Sequence, residues 1–432
     1  MTTPGRAEAR GAFAGALSSA LRLNTAATVR TWRRGHAGWT GAINTDYDPL
    51  DRAVAAQPFD AFRALHRSGG VHYNPKRATW ILCRLADVRA ALRDTDAVTS
   101  TEGVTRVKIA APVLVLTDGA EHARLRKQVQ PAFSKGAMAD WQEMIDRLAA
   151  ELVADLLDDP GCDVVRRLAI PMPMRVIAHI LGVPDADVDQ FRAWSEAGMQ
   201  IVDFEPTGRG VVRSAKALAS LAALRRYFMK QFSRGGLKDS TTVLGRLLTH
   251  NDEGELTEDQ LFLIAVLLLI AGNETTTNLL GGMFDTLAHH PDQFDMVRAD
   301  PSLIPSAVEE QLRFSSPIQN LYRYTRADYR VGEVTIPAGS RLMLNFAAAN
   351  RDPLVFDDPD TYRADRNPRS HIAFGHGAHM CIGAPLARME AQAVLRELVT
   401  QVSAIAPAAP TVWSTNTSLR GPVRLPITLT GA

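Results

Sequence analysis

HIAFGHGAHMCIGAPLARMEA, residues 371–391, holds one cysteine, Cys381, inside a run of glycines. Gly375, Gly377 and Gly383 remove Cβ atoms where a backbone must take unusual angles or lie flat against a large ligand. A helix is expected to begin just after the cysteine. Pro385 suits a first helical turn, and Ala387, Ala391, Val394, Leu395, Leu398 and Val402 recur at helical spacing on one face. Cys381 then sits at a helix N-terminal end, where unpaired N–H groups and the positive end of the macrodipole favour a thiolate. An anionic sulfur is a metal ligand. A neutral one in a glycine-rich turn is a structural residue, and a lone cysteine leaves both readings open.

Outward from this stretch, composition narrows the choices. The 432 residues carry 48 Lys plus Arg against 47 Asp plus Glu, so no basic excess points to nucleic acid or to an acidic lipid surface. Cys83, Cys162 and Cys381 are too few and too scattered for a disulfide framework, which fits a reducing cytoplasm. The longest apolar run, LFLIAVLLLIAG at 261–272, falls short of the roughly 18 residues of a membrane span and reads as a core helix. Residues 1–45, rich in Ala and Arg at the start, read as a loosely ordered tail before a single domain over 46–432.

Several further segments carry chemistry. DGAEHARLRKQVQPAFS at 118–134 puts His122 and Arg126 on one helix face, two cationic donors suited to an anion or simply a solvated basic face. The apolar helix from 261 runs into NETTTNLL, so Asn273, Glu274, Thr275 and Thr276 interrupt a hydrophobic element. Thr can return its hydroxyl to a carbonyl one turn back, and Gly272 weakens the local helix, so a kink or groove is expected. SAVEEQLRFSSP at 306–317 is a helix stopped before Pro317, with Glu310 and Arg313 three apart. Strands are expected over 71–84, 322–344 and near the C-terminus, and residues 96–117 read as a loop with some extended structure.

Phe-Gly-His-Gly-x-His-x-Cys-x-Gly fixes seven positions over ten residues, and here the sequence resembles the cytochrome P450 family, the haem-thiolate monooxygenases. The resemblance covers roughly residues 50–430 and implies the mainly helical P450 fold with a smaller β region, of the soluble bacterial type and without a membrane span. It implies haem b as cofactor with Cys381 as axial iron ligand, whose electron donation favours O–O cleavage. It implies Phe374 and Gly375 packed beside the sulfur, Gly383 after it, and Ala271 and Gly272 against the haem. His122, Arg126, Arg323 and His379 would contact the propionates. Ala-Gly-x-Glu-Thr-Thr matches the oxygen-activation motif, with Thr275 as the alcohol and Glu274 as the acid of proton delivery.

Glu310 and Arg313 would join Arg366 in a structural triad. Leu267, Ile270, Ala271, Gln319, Asn320, Leu321 and Leu419 would line an apolar substrate pocket, with Gln319 and Asn320 as polar hooks. Arg106 and Lys108 could meet a substrate carboxylate. The connection at 199–212 would act as a lid. Dioxygen is the co-substrate. A separate ferredoxin or flavodoxin-type protein is the expected donor, docking near Arg126 and Arg388, and the protein is expected to be a cytoplasmic monomer. A peroxygenase, a non-oxygenating isomerase or reductase, and a haem-binding sensor or carrier remain as competing readings on the same fold.

Overall fold

In the computed structural model, residues 41–105, 113–159, 161–184, 187–199, 208–233, 242–249 and 256–432 are described. Most of residues 1–45, Arg106, Lys108 and most of the connection at 199–212 therefore lie outside the described residues. Two cores divide the protein. A large helical core gathers Trp141, Phe191, Phe228, Phe284 and Phe294. A second packs Trp80, Leu82, Leu342, Leu344 and Phe346 behind the main sheet.

The sheet joins distant parts of the chain. Its strands are β1 (Ile43–Asn44), β2 (His72–Asn74), β3 (Thr79–Leu82), β4 (Val98–Thr99), β5 (Asn320–Thr325) and, after the β6–β7 hairpin (Tyr329–Val331 and Val334–Ile336), β8 (Arg341–Asn345). The order is β1-β2-β3-β8-β5-β4. β3 runs parallel to β8 with Trp80 opposite Leu342. Every residue of β3 is buried, so both of its faces are covered and its sequence, TWIL, has no polar alternation. The sheet also takes in Ile43–Asn44, two residues of the segment expected as a tail, paired with His72 and Tyr73. Backbone pairing makes the difference: short edge strands are recruited by a neighbour and carry little signal of their own.

The long helix Glu258–His289 is the axis of the helical core. Thr257 caps it through a reciprocal capping box with Gln260, and Glu258 and Asp259 favour its first turn. It runs unbroken through Gly272 for 32 residues, against helices Pro171–Leu181, Ile304–Ser315 and Ala384–Gln401. By length and composition it could cross a membrane, and it is the one such helix among the described residues. Its burial against these helices makes it a core element.

Strands β10 (Val412–Trp413) and β11 (Pro422–Arg424) flank the turn at 417–421. That turn is tied down on both sides. Gln319 N–H donates to Ser418 O at 2.8 Å and Arg420 N–H to Pro317 O at 2.9 Å. At Gly421 any Cβ would lie 2.0 Å from Asn278 Oδ1 of the long helix, so only glycine permits the approach. β9 (Val402–Pro407) and β12 (Ile427–Gly431) close the chain as an antiparallel pair.

Candidate functional site

The cysteine loop is held by its own backbone. Cys381 N–H donates to Phe374 O at 2.9 Å and Met380 N–H to Gly377 O at 3.1 Å. Gly377 has φ +71°, and a Cβ there would meet Leu92 O at 2.8 Å, which explains the glycine by conformation and by close approach together. The helix Ala384–Gln401 starts three residues past the cysteine with Pro385 in its first turn. Behind the loop, Arg388 donates to Glu309 through Nε at 2.6 Å and Nη2 at 2.9 Å, and its guanidinium lies 4.5 Å from the centre of the Phe374 ring. His371 Nε2 is 2.9 Å from the same carboxylate. These two partners outweigh burial and draw Glu309 down to about 2. Arg388 is thus half of an ion pair, with its side chain still partly accessible.

On the other side of the loop, residues far apart in sequence meet. His122 and His379 have ring centres 4.1 Å apart. His122 Nδ1 lies 2.9 Å from Leu114 O and its Nε2 3.0 Å from Ala378 O. Arg126 Nη1 donates to Ala378 O at 3.1 Å and to Met380 O at 2.8 Å. His379 Nε2 is 2.9 Å from Asp118 Oδ1, and Asp118 further accepts from Thr99 Oγ1 and Ser100 Oγ, each at 2.6 Å. These hydrogen bonds outweigh its burial and hold the Asp118 carboxyl far below the usual range. Arg323 is buried nearby with Nη1 on Tyr322 O; burial lowers its guanidinium to about 10, against the opposing charge of Asp118.

The long helix presents a different surface. Between Leu261 and Thr276, Leu263, Val266, Leu267 and Ile270 are partly accessible while Ile264, Ala265, Leu268 and Leu269 are buried, and Ala271 through Thr275 are accessible without a break. One stripe is therefore uncovered, and it is aliphatic until it reaches Gly272 and the polar run Asn273-Glu274-Thr275. Thr275 Oγ1 donates to Ala271 O at 2.7 Å, the back-bond expected of a threonine here. Leu321, on β5, and Leu419, on the 417–421 turn, are half-buried. Gln319 and Asn320 are buried and turned to backbone. Gln319 Nε2 donates to Ser315 O and Ser316 O, and Asn320 Nδ2 to Thr417 O at 2.7 Å. Their amide N–H groups are thus taken up by backbone, while Gln319 Oε1 is enclosed without a partner. Glu310, Arg313 and Arg366 also meet: Arg313 Nε lies 2.7 Å and Arg366 Nε 3.0 Å from the Glu310 carboxylate, with Glu310 and Arg313 fully buried and Arg366 partly so.

Comparison with known proteins identifies this arrangement. The Cytochrome P450 family model matches residues 229–403. The β-dihydromenaquinone-9 ω-hydroxylase of Mycobacterium tuberculosis is 45% identical over 415 residues, 96% of this chain and 85% of its own. The chain belongs to the cytochrome P450 family. Among other P450 relatives, the vitamin D(3) 25-hydroxylase of Pseudonocardia autotrophica is 36% identical over 86% of this chain and 94% of its own. The solved structure of a cytochrome P450 from Chondromyces apiculatus superposes with a TM-score of 0.80 at 32% identity, covering 90% of this chain and 99% of that one. This P450 is accordingly a monooxygenase with a haem-thiolate cofactor.

The residues present fit such a cofactor. Cys381 is exposed, and His122, Arg126, Arg323 and His379 gather around its loop, a set of N–H donors of the kind suited to carboxylates. The protein packed behind the sulfur desolvates it and pushes the thiol up, while the Gly383 and Ala384 N–H groups, Arg126 and Arg388 pull the other way. Asp118 and Glu309 are the side chains that sequence reasoning missed. Asp118 stands at the N-cap of the helix Gly119–Val129 yet makes no capping bond, its carboxylate being turned to residues 99, 100 and 379.

Proposed function

We propose that this P450 hydroxylates the aliphatic end of a long, mostly hydrocarbon substrate of polyprenyl type, using two electrons from a separate ferredoxin or flavodoxin-type protein. The observation that carries this reading is the uncovered aliphatic stripe of the long helix, which leads to Glu274 and Thr275. Such a wall holds a hydrocarbon by burial, at roughly 25 cal/mol per Å², and offers no polar group along its length to fix a compact polar ligand. The name of the mycobacterial relative, a menaquinone ω-hydroxylase, narrows the class to a chain attacked at its end.

Cys381 would hold the iron of haem b; His122, Arg126, Arg323 and His379 would take its carboxylates; and Phe374, Gly375, Gly383, Ala271 and Gly272 would lie against it. When bound, that group supplies activation of dioxygen and insertion of one oxygen atom into a C–H bond, the second atom leaving as water with two protons. To turn toward a carboxylate, His379 has to exchange its bond to Asp118. Thr275 keeps a proton at Oγ1, and Glu274, one residue earlier, is the carboxyl that restores it from solvent. Leu267, Ile270, Leu321 and Leu419 exclude water from the chain being oxidised. Glu310, Arg313 and Arg366 brace the scaffold. A monomeric, cytoplasmic protein folded as one domain from Ile43 onward completes the proposal.

The test is turnover of a polyprenyl quinol with NADPH, a ferredoxin, its reductase and air, with products read by mass spectrometry. A terminal alcohol is expected. Hydroxylation of a rigid polycycle with no attack on the polyprenyl chain would overturn the substrate class and leave the monooxygenase standing.

A further inference from the structure

Arg420 sits in the turn between Leu419 and the jammed Gly421, and its side chain is 5% exposed. Its guanidinium lies 3.7 Å from the centre of the Trp413 ring and 4.8 Å from that of Phe59. Phe59 carries a second guanidinium, that of Arg351, at 4.1 Å. Arg351 is equally buried but is satisfied, donating to Asp360 Oδ1 and to Phe314 O. Arg420 is not. Its Nε is enclosed with no acceptor, and among the described residues no carboxylate, hydroxyl or carbonyl accepts from its guanidinium.

The nearest acid that influences it, Asp285, accepts from Thr411 Oγ1 instead. Aromatic faces stabilise a cation from above and below, but its N–H groups point outward in the plane and still need acceptors. A buried cation without them is strongly unfavourable. Burial, reinforced by Arg351, lowers the Arg420 guanidinium to about 9, so the surroundings already strain to keep it charged.

We propose that the in-plane edge of Arg420 binds one small monovalent anion, of chloride or formate size. A compact, weakly hydrated monovalent ion sheds its water at an aromatic-lined edge at lower cost than a divalent, strongly hydrated one such as sulfate. The anion would complete the charge of the Trp413-Arg420-Phe59-Arg351 stack, which bears two cations, of which Arg351 alone is paired, with the Asp360 carboxylate that also binds Arg63. This site is separate from the cysteine loop and needs no assumption about the substrate.

The haem-loaded protein, dialysed into gluconate, is titrated with chloride and then formate at constant ionic strength, following Tm. A saturable rise of a few degrees is expected for both, none for sulfate, and none for chloride with Arg420→Met. Chloride-35 NMR of the wild-type holoprotein gives an independent reading: line broadening reversed by formate is expected. A chloride response no different from gluconate, or one retained in full by Arg420→Met, overturns the site. Should Arg420→Met fail to fold, absence of formate-reversible broadening in the wild type overturns it equally.

Discussion

The cysteine side of the site and the long-helix side are built by opposite rules. Around Cys381 the polar groups named above have a partner within the chain: Arg388 and His371 on Glu309, Arg126 on two carbonyls, His379 on Asp118. Along the long helix the accessible stripe is aliphatic as far as Ala271, and Thr275 returns its hydroxyl to Ala271 O. A saturated polar network resists change because each deletion leaves a buried group without its partner. An aliphatic wall tolerates change and answers in what it admits. Variants on the cysteine side should therefore alter cofactor retention and stability, and variants on the helix side should alter the reaction alone.

The largest effect is expected at the sulfur. Cys381→Ser should abolish the far-red Soret band of the reduced carbon monoxide complex, which depends on thiolate donation. A variant that keeps haem and the band would remove Cys381 from the ligand position.

Beneath the loop, Arg313→Met strands Glu310, which is fully buried, and should cost about 3–5 kcal/mol in denaturant unfolding. A loss under about 1 kcal/mol would show that Arg366 alone satisfies the carboxylate.

Glu309 sets a pH signature for the same side. Its folded value, about 2, lies below the ordinary 4.5, so the stability it contributes is complete above 4.5 and is lost as pH falls toward 2. The full span is on the order of 3 kcal/mol at 1.36 kcal/mol per pH unit, less whatever solvent screening removes at its partly accessible edge. Acid unfolding of wild type and Glu309→Gln should converge across that window. Parallel curves would assign the acid sensitivity elsewhere.

The helix side gives the smallest change in stability. Thr275→Ala should leave unfolding within about 0.5 kcal/mol of wild type while product formed per NADPH falls severalfold and hydrogen peroxide rises. Coupling unchanged, or a marked loss of stability, would break the division between the two sides.

Much of the fold was legible because its signals are local. The capping residues of the long helix, the alternation of 322–344 and the Pro385 start of the cysteine helix each lie within one turn or one hairpin. The site was legible as a set of side chains, less so as a set of bonds. His122 and His379 can be picked out singly, but their contact spans 257 residues of chain, and no spacing discloses that His379 faces Asp118. Glu309 and Glu310 are neighbours on one helix, and only packing decides that one meets Arg388 and the other Arg313. Gln319 and Asn320 look like pocket polar groups, and only the folded turn beside them shows that their amide N–H groups go to backbone. The direction of the Cys381 shift follows from desolvation, a property of what packs behind the sulfur and invisible in a motif.

Gly421 has a consequence for how this enzyme can diversify. Its contact with Asn278 leaves no room for even one extra methyl group, and Pro422 is pressed as closely on Gly281, where a Cβ would lie 2.7 Å from the proline ring. The turn therefore cannot slide along the long helix to make room for a bulkier ligand. Exchange of the side chain at Leu419, a wall residue in the proposed substrate chamber, would leave that frame in place. Selection acting here has residue identity as its variable and chain length as its constant, so relatives that differ in substrate should differ at 417–419 before they differ in the distance from Trp413 to Gly421.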